Sequence, residues 1–376
     1  MAAKRHLMIL CGGRSAEHEV SLTSARSVLQ VLDPRRYEVT VVGITRGGRW
    51  ILDPRLQKAI REGLTAIEDE AWQEGVPWLQ GLLQVFDRRL AQPESRPTVV
   101  FPLLHGPFGE DGTVQGLLEI LGVPYVGAGV LGSAIGMDKA VTKDLLQAFQ
   151  VPVVPYLVFR EDTDASLEDI AREAQEFLEF PMFVKPVNLG SSVGITKVKR
   201  PEDLVPALKT AFLYDTRVLV EQGVEPAREI EVSVLGTAPP EVSVPGEIVP
   251  AHEFYDYEAK YLEAGSRLLI PAPLDPEETA RVQNLARLAF LALGLEGMAR
   301  VDFLMNAETG EIFVNEVNTI PGFTPISMYP KLWEASGLPY AQLIDRLVDL
   351  ALERFERRRR KAVHWQAGGE SWDKSS

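Results

Sequence analysis

A single cysteine, Cys11, leaves the chain unable to form an internal disulfide, so a reducing compartment is the simplest assignment and the cytoplasm the expected location. Long apolar runs are missing too. No segment stays apolar over enough residues to span a membrane. Behind Lys4 and Arg5 the one uniformly apolar stretch, Leu7-Met8-Ile9-Leu10, is too short for a signal peptide and reads as a first strand entering Gly12-Gly13. Two nucleotide-binding signatures are absent. Neither GxxxxGK followed by Ser or Thr nor GxGxxG occurs, which supports neither a P-loop fold nor a standard dinucleotide fingerprint. There is no internal repeat and no long low-complexity segment. Basic residues are outnumbered, 39 Lys and Arg against 53 Asp and Glu, and the net charge of -14 argues against a general nucleic-acid surface. Any phosphate ligand must therefore rely on local lysines and arginines.

What remains is an ordinary globular composition, 45% hydrophobic over 376 residues, too long for one simple core and suited to two or three domains. In the first third, strand-like runs at 6–11, 37–43, 98–104 and 124–127 alternate with helical patterns at 17–32 and 113–121. That order predicts an α/β domain with a parallel sheet. Residues 54–97, rich in charge and proline, predict a helix and a variable excursion. From 128 the pattern becomes α+β: helices at 138–149, 166–179 and 202–214 between strands at 154–159, 182–187, 194–198 and 218–221. The last third predicts strands at 229–235 and 241–249, a polar loop at 250–266, a helix at 276–293 and a hairpin. A final helix opens after Pro339 and is closed by Arg357 to Arg360, as the helix dipole favours. The expected boundaries are 1–127, 128–226 and 227–362, with a loose tail at 363–376.

The hairpin, residues 298–323, is the most informative stretch. Period-two alternation sets Arg300 and Asp302 on one face of its first strand and Glu316 with Asn318 on one face of its second, around a turn at 306–310. Oxygen-only ligands of this kind suit Mg²⁺, which leans on one or two carboxylates plus substrate phosphates, so a nucleotide is implied nearby. The plain alternative is an exposed hairpin with its polar residues outward.

Other stretches carry the same double reading. Lys185 precedes a Gly/Ser loop, Gly190-Ser191-Ser192-Val193-Gly194, which either folds over phosphates or is a simple turn. Lys139 and Lys185 stand among apolar residues, where either a polyphosphate or a solvated ammonium completes them. Glu221 ends a strand before a Gly/Pro turn, where a carboxylate can accept an adenine amino proton and a second, Glu229, can hold ribose hydroxyls; acidic residues at strand ends are also commonly just solvated. His105 and Asp111 follow a strand, where α/β sheets place ligand groups, although Asp111 is equally readable as a helix cap. The segment from Gly12 to Glu19 enters a helix N-terminus that would favour an anion.

Taken together and in order, these strings resemble the D-alanine:D-alanine ligases of the ATP-grasp superfamily. The resemblance rests on Gly12-Gly-Arg-Ser-Ala-Glu-His-Glu19, His105-Gly-Pro-Phe-Gly-Glu-Asp-Gly, Met137-Asp-Lys139, Lys185 to Gly194, Tyr255-Asp-Tyr-Glu-Ala-Lys260-Tyr261, and Arg300-Val-Asp302 through Asn318-Thr-Ile-Pro-Gly322, from about residue 7 to 355. It implies three domains with ATP clamped between the second and third, and formation of D-alanyl-D-alanine for peptidoglycan through a D-alanyl phosphate. By that resemblance Lys139, Lys185, Ser192 and Lys260 serve the phosphates, Glu221, Gln222 and Val224 the adenine, and Glu229 the ribose. Gln222 departs from a lysine commonly seen there, which puts adenine affinity in question. Asp302, Glu316 and Asn318 would bind two Mg²⁺ or Mn²⁺, and Arg300 with the Gly322 N–H would form an oxyanion hole. Glu19 would hold the first D-alanine's ammonium beside His105, Ser327 and Met328 would take the second's carboxylate, and Glu19, Ser191 and Tyr261 would form a hydrogen-bonded set. A homodimer is expected, with no nucleic acid or membrane partner. Two rivals stand: a D-alanine:D-lactate ligase, disfavoured by the segment ending at Tyr261, and a non-enzymatic ATP or D-amino-acid binder, disfavoured by the full set of metal ligands.

Overall fold

The continuous burial of the first strand, from His6 to Gly12, shows how the chain begins to pack. This is a computed structural model, and it describes residues 4–69, 71–72, 98–163, 165–250 and 267–361. Strand β1 (Arg5–Gly12) is buried on both faces, lies parallel to β2 (Tyr37–Ile44) and β4 (Thr98–Pro102), and β3 (Trp50–Ile51) adds antiparallel to β2. Leu7, Ile9 and Cys11 pack with Leu22 and Val28 of α1 (His18–Val31). Met8 and Leu10 pack on the other side with Leu118, which belongs to α3 (Thr113–Ile120). A doubly covered parallel sheet of this kind matches the expected α/β organisation. The excursion after β3 begins with α2 (Pro54–Glu62), capped by Asp53, whose side chain accepts from Arg55 N, and ended by Gly63 at φ 106°. The strand expected at 124–127 is reduced to one bridge, Val100 with Tyr125.

A second sheet has the order β5 (Tyr156–Arg160), β8 (Arg217–Gln222), β6 (Met182–Pro186), β7 (Thr196–Val198), all antiparallel. One face carries Met182, Val184, Val218 and Val220 into a core with Ala174 of α6 (Leu167–Phe177) and Leu208 of α7 (Leu204–Phe212). Ser166 and Asp169 form a capping box that starts α6. The other face presents Phe183, Lys185 and Glu221 to a cleft.

The third sheet is antiparallel: β12 (Arg267–Leu269), β11 (Gly246–Val249), β9 (Ala227–Gly236), β13 (Gly297–Asn306) and β14 (Ile312–Asn318), with β10 (Glu241–Val242) also on β9. The strand expected over 241–249 is thus two short ones. Val232, Val301 and Phe303 pack under Val282 and Phe290 of α8 (Pro276–Ala292). Helices α4 (Val130–Met137) and α5 (Lys139–Ala148) lead out of the first sheet, and α9 (Met328–Ala335) and α10 (Tyr340–Arg359) follow the hairpin. The sequence marked neither α4 nor α9. Leu343, Leu347 and Val348 of α10 share one core with Leu7, Ile9 and Val99 of the first sheet. Among the described residues no helix is long and apolar enough to cross a membrane.

Candidate active site between the second and third sheets

Strands β13 and β14 pair with Arg300 opposite Asn318 and Asp302 opposite Glu316, which brings the four predicted residues to one end of the hairpin. The register then shifts between Asp302 and Phe303. The bulge lies on β14, and its extra residue lets both Asn315 and Glu316 line the cleft, as bulges beside active sites do. Strict alternation puts Asn315 on the face opposite Glu316 and Asn318, so the period alone does not reveal it. At the turn, Asn306 Oδ1 accepts from the backbone N–H groups of Glu308 and Thr309, both at 2.9 Å.

Arg300 is tied to Asp302 through two hydrogen bonds of 2.7 and 2.6 Å, and its Nε lies 2.9 Å from Glu231 Oε2. Burial works against its charge, but Asp302, Glu231 and Glu316 outweigh burial and hold it protonated. Asn318 Nδ2 donates to Asp302 Oδ2 at 2.9 Å. The oxygen set is two carboxylates and an amide; no group of three or more His, Cys, Asp or Glu side chains is poised for a metal among the described residues. Such a set fits Mg²⁺, which takes few protein ligands when phosphates supply the others.

An open cleft of about 650 Å³ lies between the two sheets, lined among others by Lys139, Lys185, Ser192, Glu221, Val224 and Glu229. Phe183 and Leu304, unread in the sequence, are in its walls. Lys185 Nζ pairs with Glu221 Oε1 and lies 3.4 Å from Asn315 Oδ1. Lys139 opens α5, and its Nζ donates to the Leu189 carbonyl in the Gly/Ser loop. Gln222 does not line the cleft: its backbone N–H donates to Pro155 O at 2.9 Å and its side-chain oxygen accepts from Glu179 N. Its side chain is thus turned away from the cleft, and any role beside adenine falls to its backbone, as is expected of that position. Lys143, also missed, is 1% exposed and its Nζ is 2.9 Å from Glu221 Oε2. Burial pushes Glu221 up, but Lys143 and Lys185 overcome it and hold the carboxyl down at about 2.

In the Gly/Ser loop, Ser191 and Ser192 both adopt left-handed backbone, φ 50° and 58°, rare for residues with a side chain and a sign of a functionally held conformation. Ser191 Oγ donates to Glu17 Oε1. This corrects the set expected with Glu19, whose carboxylate turns outward and pairs with Arg46. Glu17 is the residue before α1 and is buried against the loop arriving from the second sheet, whereas Glu19 lies in the first turn of α1.

His105 is buried, which lowers its pKa. Its Nδ1 meets the Ile320 carbonyl at 3.0 Å and its Nε2 meets Ser24 Oγ at 3.2 Å, while Ser24 Oγ accepts from Phe323 N at 3.2 Å. Glu110 accepts from Gly106 N and Ile320 N. Burial and Glu17 push it up to about 8, against those backbone bonds. The first sheet thus pins the 320–323 segment carrying Gly322. A Cβ on Gly322 would stand 2.6 Å from Ser327 Oγ, so any side chain there must displace the Ser327 hydroxyl. Ser327 Oγ accepts from Thr324 N at 3.0 Å and makes no cap bond to α9, which leaves that helix's first N–H groups uncapped by it. The Met328 side chain is buried against Ile248 and Leu332, so only its backbone can face a substrate. Asp111 accepts from Phe108 N and Thr113 N at 2.8 and 2.9 Å and so braces the turn before α3, whose cap residue is Gly112, with no side-chain cap bond. Lys260 and Tyr261 lie outside the described residues.

Fold and cleft define an ATP-grasp protein. Two family models cover the chain, the D-ala D-ala ligase N-terminus over residues 6–128 and the D-ala D-ala ligase C-terminus over residues 145–349. The chain is 49% identical over 361 residues to a D-alanine--D-alanine ligase of Heliobacterium modesticaldum, covering 96% of this chain and 98% of the relative. It is also similar to the solved D-alanine-D-alanine ligase from Coxiella burnetii (TM-score 0.76, 38% identity, 95% of this chain and 97% of that one). The VanG D-Ala:D-Ser ligase from Enterococcus faecalis gives a TM-score of 0.78 at 34% identity, covering 93% of this chain and 100% of that one. The chain belongs to the D-alanine:D-alanine ligase family.

Proposed function

We propose that this protein uses ATP to join two D-alanine molecules into D-alanyl-D-alanine for peptidoglycan, releasing ADP and phosphate. The observation that carries the reading is the register that gathers Arg300, Asp302, Glu316 and Asn318 at the cleft holding Lys139, Lys185 and Glu221. A carboxylate oxygen of the first D-alanine attacks the γ-phosphorus of ATP and ADP leaves, giving D-alanyl phosphate. The amine of the second, having lost a proton, attacks the acyl carbon, and the tetrahedral intermediate collapses with phosphate as leaving group.

Lys139 and Lys185 neutralise the phosphates under the Ser191-Ser192 loop, joined by Lys260. Glu221 accepts from the adenine amino group beside Val224 and the Gln222 carbonyl, and Glu229 holds the ribose. Arg300 and the Gly322 N–H face the developing oxyanion; losing such a donor costs about 3 to 4 kcal/mol of barrier. Glu17, in place of Glu19, faces the first ammonium. Ser327 and the Met328 N–H at the start of α9 receive the second carboxylate, an arrangement that helix N-termini favour. Tyr261, by the family resemblance, helps to keep water from the acyl phosphate. Asp302, Glu316 and Asn318 would hold Mg²⁺ or Mn²⁺, which supplies charge neutralisation on the transferring phosphoryl group.

The domain limits 1–127, 128–226 and 227–362 belong to this proposal. So do the cytoplasmic location and a homodimer, the latter supported by apolar surface at Ile120 and Leu131. The test supplies ATP, Mg²⁺ and D-alanine, with D-lactate or D-serine as competing acceptors, and weighs the products. D-alanyl-D-alanine formed one-for-one with ADP, and abolished by a chelator, is expected. A dominant D-lactate or D-serine product would replace the acceptor, and ATP binding without any product would overturn the enzyme reading.

A further inference from the structure

Lys143 lies one helical turn after Lys139 on α5, but it is buried behind Glu221 and does not line the cleft. Its Nζ sits 2.9 Å from Glu221 Oε2, both side chains being at most 2% exposed, and is 5.8 Å from the Tyr156 ring centroid. The contact is a close ion pair without the alignment of a full hydrogen bond. On the cleft side Lys185 pairs with Glu221 Oε1, within 5.5 Å of the Phe183 ring centroid and beside Asn315. Glu316 is the other charged group felt by Lys143. Lys185 lines the cavity, so a polyphosphate entering it competes with Glu221 for that ammonium. Were Lys185 the only partner, its departure would strand a buried carboxylate, which is costly enough that the group would take up a proton instead.

We propose that Lys143 is the standing counter-ion of Glu221, a positioning residue that keeps the carboxylate anionic and fixed when Lys185 turns to phosphate, so that the cleft selects a 6-amino over a 6-oxo purine. An ionised carboxylate can only accept, as the 6-amino group requires; a 6-oxo group also only accepts and is repelled. A protonated carboxyl could donate to the oxo group. The inference rests on the reading of Glu221 as the adenine acceptor.

The experiment compares ATP with inosine 5′-triphosphate, which differs at that position, in wild type and Lys143→Met at saturating D-alanine. The variant should raise the KM for ATP about tenfold and narrow the preference for ATP by about tenfold, the scale of one charged hydrogen bond, with kcat little changed. A purely structural lysine would lower the thermal midpoint and shift both nucleotides alike, and an unchanged ATP preference overturns the proposal. Glu221→Gln separates the two layers. If it leaves the preference intact, the base reading itself fails; if it removes the preference while Lys143→Met does not, only the Lys143 inference fails. Should Lys143→Met not fold, Glu221→Gln is compared with the double variant, which lacks the buried pair altogether. Equal nucleotide preferences support action through Glu221, and unequal ones refute it.

Discussion

Arg300 shows how one residue can serve both stability and chemistry. Its guanidinium stands between Asp302 and Glu231, all three largely buried. Arg300→Ala should leave two buried carboxylates without their counter-charge, lowering stability by about 3 to 5 kcal/mol, and should reduce kcat by about 10²- to 10³-fold. Arg300→Lys keeps the charge but not the planar fork, so most stability should return while kcat stays low. Denaturant midpoints and turnover measured on both variants check this; parallel recovery of the two would refute the oxyanion role. Glu17 and Glu110 make a second case. Glu110 is pushed up to about 8 by burial and by Glu17, so the fold favours its neutral form. That contribution is complete below the ordinary carboxylate value of 4.5 and is lost as pH rises through about 8. Glu17→Gln removes the neighbouring charge, and the variant should be more stable than wild type at pH 9 by about 1 kcal/mol, the two converging near pH 5. Thermal midpoints at both pH values test the sign, and a wider gap at pH 5 would contradict it.

At the scale of elements, the phosphate-side loop depends on backbone shape. Gly194 has φ 72°, and a Cβ there would meet Tyr214 Cδ2 at 2.7 Å and Pro186 Cγ at 2.8 Å. Gly194→Ala should cost about 1 to 3 kcal/mol of strain and raise the KM for ATP, both readable from denaturation and steady-state kinetics; an unaltered KM would mean the loop does not seat the nucleotide. Elements with a clear period or boundary were legible in the sequence: β1 by its apolar run, β13 by alternation and α10 by Pro339 and its closing arginines. Helix α4 was not, because its apolar, glycine-bearing segment lacks a side-chain cap. The bulge at Asn315 was hidden because it is a property of the pairing with β13 rather than of either strand. Lys143 was hidden because its partner is on β8, far along the chain, and the choice between Glu17 and Glu19 because it shows only in the contact with Ser191.

For the whole molecule, the shared core of the first sheet and α10 makes the two ends of the chain one packing unit, while the second sheet keeps a core of its own. Arg354 fastens the shared unit. It is buried, donates to the carbonyls of Tyr125, at 2.8 Å, and Gly127, and lies 4.2 Å from the Tyr125 ring centroid. Asp345 adds a bond from Tyr37 Oη at 2.6 Å, and Asp349 a pair with Arg5 at 2.5 Å. The 320–323 segment shares this core through Ile320 and Phe323, with Tyr340 of α10 donating to the Phe323 carbonyl at 3.0 Å, and its backbone is aligned in addition by polar contacts of its own with His105, Ser24 and Glu110. Global fastening and local alignment should therefore separate under mutation. Arg354→Met leaves two carbonyls without their donor and should lower stability by about 2 to 4 kcal/mol, with kcat per folded molecule within about twofold of wild type. Ser24→Ala removes the acceptor of Phe323 N and the partner of His105, so it should cost only about 1 to 2 kcal/mol yet reduce kcat several-fold by freeing the segment that aims the Gly322 N–H. Measuring both quantities on both variants decides the matter: if kcat fell in step with stability in each, the oxyanion donor would be held by the shared core as a whole rather than by its three local contacts.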